Sequence, residues 1–301
     1  MPGPLNGPTA SYALTALLKV NLTLHVGGVR PDGYHPIGSV CLFAAAGDRV
    51  SLGERQADFA LAVTGPERGA LAAVPPDANL AIRAARLLAE RTGAASRLIR
   101  LDKRVPAAGG VAGGTADAAC VLVLLNAEAP RPLGTGELIA LSRRLGADGP
   151  VCTAAQVAGG GVWLAEGDGD RVRRLPGPPP LWLTAVNPRV PVSTADVFAR
   201  FDEGPPGTLD QPAGDTQTAR GLAALGAAGR NDLHEAALHL APVIQAAEAA
   251  LRASPGCRFA RMSGSGATVF GLFGSEAAAR RAARAARARG WWSATAPLAR
   301  G

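Results

Sequence analysis

The chain has few of the residues from which disulfide frameworks, metal centres and nucleic-acid stacking surfaces are built. Its four cysteines are far apart and form no C-x-x-C pair, which disfavours a disulfide framework and a cysteine-based metal site. Aromatic residues make up only 4% of the chain and do not interleave with basic residues, as a stacking platform for bases would require. We therefore expect no nucleic-acid partner.

Long apolar runs are also missing. No run is long enough to span a bilayer, and the first residues lack the charged-then-apolar layout of a secretory signal. We therefore predict a cytoplasmic protein with no membrane partner. Hydrophobic residues make up 48% of the 301 residues and charged residues 18%, which is typical of a globular chain with one large domain or two ordinary ones.

Lysine is rare: Lys19 and Lys103 are the only two in the sequence. The formal net charge of +7 comes mostly from arginine scattered among alanines, with a cluster at residues 280–289. Such a charge favours an anionic partner. A composition dominated by Ala, Gly, Pro and Arg is also typical of a GC-rich genome, so the charge by itself does not indicate nucleic acid.

Hydrophobic periodicity and turn residues predict a mixture of strands and helices. The predicted strands cover residues 17–26, 38–52, 57–63, 97–101, 181–186 and 268–272, and the predicted helices cover 79–91, 137–145, 232–250 and 275–289, with one more beginning near 115. The Pro- and Gly-rich residues 176–180 divide the chain into 1–175 and 176–301. Because strands and helices do not alternate strictly, we predict an α+β fold in two lobes.

Glycine is concentrated ahead of the helix that begins near Thr115. Four glycines fall within six residues: Gly109, Gly110, Gly113 and Gly114. Glycines let backbone N–H groups approach a ligand closely, and a helix N-terminus adds unpaired donors and a partial positive charge. The pattern predicts a phosphate-binding loop, with a plain glycine-rich surface turn as the alternative.

The spacing excludes two common phosphate loops. Val111 stands where the dinucleotide fingerprint requires its second glycine, and Thr115 stands where a P-loop requires lysine. A phosphate loop without its own lysine needs a cation from elsewhere in the chain.

Two charged residues are candidates for chemistry. Lys19 lies in an apolar strand, where a lysine is costly unless paired, and it shares a strand face with Asn21 and Thr23. Asp148 follows a predicted helix end and precedes proline. Phosphoryl transfer needs a proton acceptor, and Asp is a usual choice. The alternatives are a lysine at an exposed sheet edge and an ordinary turn aspartate.

In order along the chain, three motifs resemble those of the GHMP small-molecule kinases. They are Lys19-Val20-Asn21-Leu22, the glycine loop at residues 106–116 and a second small-residue loop at 262–267. The resemblance extends from about residue 18 to 273. It implies a two-lobed GHMP kinase fold, with an N-terminal lobe like ribosomal protein S5 that binds ATP and a ferredoxin-like α/β C-terminal lobe.

Further segments resemble one branch of that family. These segments are residues 30–35, 145–150, 187–195 with Phe198, and 231–233. Members of the branch use ATP to phosphorylate the 2-hydroxyl of 4-diphosphocytidyl-2-C-methyl-D-erythritol in the non-mevalonate isoprenoid pathway. Another GHMP kinase, of homoserine or mevalonate type, and a basic RNA-binding module on the same lobe architecture are the alternatives.

The resemblance implies roles for the candidate residues. Asp148 would be the general base on the acceptor hydroxyl, and Lys19 its charged partner. Tyr34, His35 and Phe198 would form the cytosine pocket, in which the aromatic rings stack and His35 hydrogen-bonds the base edge. Asn21 and Thr194 would contact polar groups of the substrate.

The resemblance also implies how ATP is held, with Mg²⁺ as the second cofactor. The ATP phosphates would lie against Pro106, Ala107, Ala108, Gly109, Gly110, Val111, Ala112, Gly113, Gly114, Thr115 and Ala116. Lys103 and Asn79 would lie near the adenosine end. Thr115 would lie near magnesium, although the sequence assigns no metal ligands. Partners beyond these small molecules are not implied, and the protein would be a monomer or homodimer.

Four positions depart from the family pattern. Leu18 replaces the usual Ala before the lysine, and Gly149 replaces Val beside Asp148. Ala108 and Ala112 stand where many members have glycine, which adds methyl groups near the phosphates.

Overall fold

A computed structural model describes residues 13–107, 109–205 and 207–301, so Ala108 of the predicted phosphate loop lies outside the described residues. The strands are β1 (Ala13–Thr15), β2 (Leu18–Asn21), β3 (His25–Val26), β4 (Ile37–Ala44), β5 (Arg49–Arg55), β6 (Ala60–Thr64), β7 (Arg97–Asp102), β8 (Val162–Gly167), β9 (Arg171–Leu175), β10 (Trp182–Asn187), β11 (Cys257–Met262), β12 (Val269–Phe273) and β13 (Trp292–Pro297). The helices are α1 (Leu80–Thr92), α2 (Gly113–Glu128), α3 (Thr135–Ser142), α4 (Gly149–Ala158), α5 (Thr194–Phe201), α6 (Ala219–Ala228), α7 (His234–Leu240), α8 (Val243–Arg252) and α9 (Glu276–Arg287).

The strands form three sheets. One has the order β1-β5-β7-β6, a second has the order β2-β4-β8-β9 with β3 beside β4, and the third has the order β11-β12-β10-β13. Every neighbouring pair is antiparallel except β6 and β7, which are parallel. The strands before residue 176 build the first two sheets, and those after it build the third.

Helix α2 lies at the centre of the first half of the chain. It packs against α1, α4 and β5, and its side chains from Ala116 to Val121 are all buried. A helix that is apolar on all sides is stable only when it is enclosed. Its burial fixes the position of its N-terminus, which is where the glycine loop ends.

The second half of the chain packs helices on one sheet. Helices α8 and α9 contact β10, β11 and β12. The buried residues of α9 are all alanines at helical spacing: Ala278, Ala279, Ala282, Ala283 and Ala286. The chain end then returns to the first half, because Leu298 bridges Ala44 and Arg300 bridges Gly160.

The continuous strand predicted at 17–26 is wrong. Strand β2 ends at Asn21, and β3 begins only at His25. The N–H groups of Leu22 and Thr23 both donate to the carbonyl of Val40, and the Thr23 hydroxyl accepts from the Val40 N–H. This shared pairing interrupts the regular ladder.

The single helix predicted at 232–250 is also wrong. It is divided into α7 and α8 at Pro242, which cannot donate a backbone hydrogen bond within a helix. The predictions at 97–101 and 275–289 match β7 and α9 closely. Across the part of the chain that the structure describes, no helix combines the length and apolarity that a membrane span requires.

Candidate active site

Lys19 and Asp148 form an ion pair at the centre of the site. Lys19 lies on β2 and is only 3% exposed, and its Nζ is 2.9 Å from Oδ1 of Asp148. Asp148 occupies the N-cap position of α4 without capping it, and its side chain is 38% exposed. The predicted pairing of a costly buried lysine is therefore present, and the alternative of a lysine exposed at a sheet edge is wrong.

Opposing effects act on the charge of Lys19. Burial is the largest single effect and lowers the pKa of Lys19, but the charge of Asp148, its hydrogen bond to Lys19 and smaller contributions from Cys41 and Cys152 together outweigh it. The pKa of Lys19 therefore lies above its ordinary value, and the side chain stays charged at neutral pH. A charged lysine in fixed contact with a half-exposed carboxylate can orient that carboxylate toward a ligand.

Asn21 connects the ion pair to the second small-residue loop. Nζ of Lys19 donates to Oδ1 of Asn21 over 3.1 Å, and Nδ2 of Asn21 donates to the Ser39 hydroxyl over 2.8 Å. The backbone N–H of Asn21 donates to the Ser263 hydroxyl over 3.1 Å. Asn21 is 3% exposed, so its side chain serves this internal network. A direct substrate contact of Asn21 remains a prediction.

The glycine loop packs against the second small-residue loop at 262–267. The Ser263 hydroxyl donates to the Gly110 carbonyl over 2.8 Å, and the Thr268 N–H donates to the Gly109 carbonyl over 3.2 Å. Gly110 has a φ of +71°, and a Cβ there would lie 2.3 Å from the Ser263 carbonyl oxygen. Only glycine fits this approach.

The loop ends where α2 begins. Ala112 occupies the N-cap position with a φ of +53°, and it supplies no capping side chain. Gly114 in the first turn is exposed, and Thr115 beside it is half-buried. The first N–H groups of α2 therefore lack a side-chain cap and lie beside exposed backbone, which is the arrangement that favours an anion.

Lys103 is held within the protein by two acidic side chains, and its place near the adenosine end of ATP stays a prediction. It is buried, and its ammonium pairs with Asp48 and lies 3.2 Å from Oδ2 of Asp117. Burial lowers the pKa of Lys103, but the two carboxylates outweigh this and raise it overall. A Cβ on Gly113 would lie 3.3 Å from its Nζ, so the ammonium sits beneath the start of α2. The charge of Lys103 therefore interacts with these buried acidic side chains and does not face the open side of the loop.

Asn79 caps the helix that follows it. Its Oδ1 accepts from the Ala81 N–H over 2.9 Å, as expected of an Asn at an N-cap. Its predicted place near adenosine remains a prediction.

The residues predicted for the cytosine pocket are partly brought together. The rings of His35 and Phe198 are 5.0 Å apart at an angle of 33°. Both ring nitrogens of His35 have protein partners: Nδ1 is 2.9 Å from the Gly27 carbonyl, and Nε2 is 3.3 Å from Oδ1 of Asp202. A hydrogen bond from His35 to a base edge would therefore replace one of these contacts. Tyr34 is 68% exposed.

Thr194 lies at the start of α5, on the same side as Phe198. Its hydroxyl is 2.9 Å from the Ser265 hydroxyl. This contact joins the predicted substrate segment to the second small-residue loop.

Sequence reasoning missed several residues of this network. Asp48 accepts hydrogen bonds from the N–H groups of Arg104 and Val105 at the start of the glycine loop, and Asp117 is buried in α2. A carboxylate within the apolar helix was the available signal for Asp117. Ser39 and Asp48 carry no such local signal.

The described residues contain no group of three or more His, Cys, Asp or Glu side chains that could hold a metal. Thr115, which the sequence predicts near magnesium, is half-buried in the first turn of α2.

Two family models match the chain. The model of the GHMP kinases N terminal domain matches residues 79–160, and that of the GHMP kinases C terminal matches residues 213–290. Together they include the whole glycine loop, α2, Asp148 and the loop at 262–267.

Similar proteins cover nearly the whole chain. A protein of Cereibacter sphaeroides named 4-diphosphocytidyl-2-C-methyl-D-erythritol kinase is 46% identical, over 92% of this chain and 95% of its own. One of the same name from Paramagnetospirillum magneticum is 43% identical, over 96% of this chain and 99% of its own. A crystal structure of 4-(cytidine 5'-diphospho)-2C-methyl-D-erythritol kinase has a TM-score of 0.74 at 32% identity, covering 96% of this chain and 100% of that one.

These similarities confirm the predicted two-lobed α+β GHMP kinase fold. The identity and coverage of the relatives also place the chain within one branch of that superfamily. The chain belongs to the 4-diphosphocytidyl-2-C-methyl-D-erythritol kinase family of the GHMP kinases.

Proposed function

We propose that this protein transfers the γ-phosphoryl group of ATP to the 2-hydroxyl of 4-diphosphocytidyl-2-C-methyl-D-erythritol, in isoprenoid precursor biosynthesis. Its family membership makes it an ATP-dependent small-molecule kinase. The observation that supports the proposed reaction most strongly is the 2.9 Å contact between Lys19 and Asp148, connected through Asn21 and Ser263 to the glycine loop.

Asp148 is the proposed general base. Its carboxylate takes the proton of the acceptor hydroxyl as the oxygen attacks the γ-phosphorus, and the bond to ADP breaks. Lys19 stays protonated, so it does not compete for that proton. Its contact with one oxygen of Asp148 leaves the other available to the acceptor, and its positive charge offsets the negative charge that gathers at the site.

The glycine loop is the proposed site of the ATP phosphates. The uncapped N–H groups at the start of α2 and the exposed backbone around Gly114 favour the negative charge of the phosphates. Mg²⁺ would be held by those phosphates, with the Thr115 hydroxyl as a protein ligand, and it would neutralise phosphate charge.

The acceptor is proposed to lie on the other side of the ion pair. His35 and Phe198 offer a ring pair of the size that a pyrimidine base stacks upon, with Tyr34 exposed beside it. Thr194 and Asn21 would contact polar groups of the acceptor. The division into residues 1–175 and 176–301, a monomeric or homodimeric state and a cytoplasmic location are parts of the same proposal.

The test is ADP release by the purified protein with ATP, Mg²⁺ and 4-diphosphocytidyl-2-C-methyl-D-erythritol. We expect acceptor-dependent turnover that falls by roughly 10²–10⁴ in kcat for Asp148→Asn, with ATP binding retained. The exposed Asp77 provides the matched control, because Asp77→Asn removes a carboxylate remote from the ion pair.

Two results would contradict this proposal. Turnover of homoserine or mevalonate but not of the cytidylyl acceptor would agree with a GHMP kinase and contradict the proposed acceptor substrate. A kcat of Asp148→Asn within threefold of the wild-type value would show that Asp148 is not the general base.

A further inference from the structure

Arg189 adopts a backbone conformation that a residue with a side chain rarely occupies. Its φ is +61°, and Ala112 of the glycine loop is the one other non-glycine residue with positive φ among the residues that the structure describes. Such a conformation costs about 1–2 kcal/mol for a residue other than glycine. Glycine would occupy position 189 at lower cost, so the guanidinium is the feature of Arg189 that needs an explanation.

The guanidinium forms a two-pronged ion pair with Glu67. Nη2 of Arg189 lies 2.7 Å from Oε1 and Nη1 lies 3.2 Å from Oε2, which is the fork geometry that makes Arg–carboxylate pairs strong. The Glu67 side chain is only 10% exposed. Within the described parts of the chain, its carboxylate has no other hydrogen-bond or ion-pair partner.

Glu67 is attached to the chain just before the glycine loop, and Arg189 is connected to the loop itself. The Glu67 N–H donates to the Lys103 carbonyl over 3.0 Å. On the other side, the Arg189 N–H donates to Oδ1 of Asn187, whose Nδ2 donates to the Thr268 hydroxyl. The Thr268 N–H in turn holds the Gly109 carbonyl.

The ion pair therefore closes a ring of contacts that includes Lys103 and Gly109. One side of the ring follows β6 in the first half of the chain, and the other follows β10 in the second half. The segment after β10 continues to Thr194 and Phe198, the proposed acceptor contacts. A single ion pair thus joins the acceptor segment to the start of the phosphate loop.

We propose that Arg189 is a positioning residue for the nucleotide, which fastens segment 187–194 to the start of the glycine loop through Glu67. This inference rests on the proposed function only in taking the glycine loop as the ATP site. Lys103 and Gly109 are each tied to one side of this pair, whereas His35 and Phe198 are held together by their own ring contact, so loss of the pair weakens nucleotide binding and leaves acceptor binding largely unchanged.

The experiment measures the Kd of the non-hydrolysable analogue AMP-PNP with Mg²⁺, without acceptor, by calorimetry. We expect Arg189→Gly and Glu67→Gln each to raise this Kd about fivefold, the order expected for one partly buried ion pair. The double variant should show the same increase as either single variant, because both remove one interaction. Arg189→Lys should recover part of the affinity.

Two further measurements separate positioning from a merely structural role. In turnover, the KM for ATP should rise about fivefold, while the KM for the acceptor changes less than twofold. The thermal midpoint of Arg189→Gly should change little, because relief of the positive φ offsets the cost of leaving the Glu67 carboxylate unpaired. Arg100→Gln is the matched control, since its ion pair with Glu54 lies within one sheet and is exposed.

Several results would overturn the inference. An unchanged Kd in Arg189→Gly, additive effects in the double variant, or an equal rise of both KM values with a lower thermal midpoint would each do so. If the wild-type protein binds AMP-PNP more tightly than Arg189→Gly does but does not phosphorylate the acceptor, the inference is supported and the proposed acceptor substrate is contradicted. If the wild-type protein binds no nucleotide, both the inference and the proposed function are contradicted.

Discussion

The hydroxyl of Ser263 donates a hydrogen bond to the carbonyl of Gly110, and the backbones of the two residues touch so closely that a Cβ on Gly110 would lie 2.3 Å from the Ser263 carbonyl oxygen. The two small-residue loops, distant in sequence, are thus one packed unit. Ser263 also contacts Asn21, which holds Lys19. The geometry of the phosphate loop and that of the ion pair are therefore linked through one serine.

Gly110→Ala should damage this unit. The added methyl group meets backbone and the positive φ is strained, so we expect a loss of about 2–4 kcal/mol in the free energy of unfolding and a large loss of AMP-PNP affinity. Urea denaturation and calorimetry measure both. Gly33→Ala is the control, because Gly33 has a φ of +80° with nothing within 4 Å of its Cβ position. If both variants lose the same stability and the same AMP-PNP affinity, the loss comes from the positive φ and not from contact with Ser263.

Gly149→Ala should move the proposed base. Its Cβ would lie 2.1 Å from the Ser142 carbonyl oxygen, so the start of α4 must shift and carry Asp148 with it. We expect a loss of about 1–3 kcal/mol in stability and a fall of about 10²-fold in kcat. The control Gly136→Ala has open space in α3 and should be neutral or stabilising. An unchanged kcat in Gly149→Ala would contradict the requirement for glycine beside Asp148.

The buried cluster beneath the loop should make stability depend on pH. Asp48 and Asp117 share one ammonium, Lys103, and burial is the main reason why the pKa of Asp117 rises to about 8. Lys103 lowers that pKa and Asp48 raises it further. Oδ1 of Asp117 is buried without a hydrogen-bond partner among the described residues, which agrees with a carboxyl group that keeps its proton.

The sign of this effect follows from proton binding. The folded protein holds the Asp117 proton up to about pH 8, whereas the unfolded chain releases it near 3.9. The stabilising contribution is therefore complete below about pH 4 and is lost as the pH rises to about 8, by at most about 1.4 kcal/mol per pH unit. Urea denaturation of wild type and Asp117→Asn from pH 5 to 9 measures it. A difference between the two proteins that does not change with pH would refute the assignment, with the exposed Asp77→Asn as reference.

Phe198→Ala should affect the acceptor and not the nucleotide. Stacking of a base on an aromatic ring contributes about 1–3 kcal/mol, so we expect the KM for the cytidylyl acceptor to rise roughly 5- to 100-fold. The Kd for AMP-PNP should stay within twofold. Phe201→Ala is the control, because that ring also packs on His35, at 5.9 Å, without being a proposed base contact. If both variants raise the KM equally, the effect comes from displaced His35 and not from lost stacking.

Local sequence was sufficient for the elements with a strong period or a clear stop signal. The short apolar segment at 97–101 and the alanine face of 275–289 correspond to β7 and α9. The glycines before Thr115 likewise predicted the loop that ends at α2. At residues 232–250 the apolar period predicts one helix, but Pro242 lacks the N–H that a helix interior needs, so two helices form.

The sequence by itself determined which residue types the site contains and, through the order of its motifs, the family. The tertiary structure decided which of them meet. Lys19 pairs with Asp148 only because β2 and α4 both pack against α2. Lys103, which carries the same charge, is instead enclosed by Asp48 and Asp117 beneath the loop. Burial and the partners of a charge depend on residues distant in the chain, and no local pattern can distinguish a lysine that faces a ligand from one that holds the protein together.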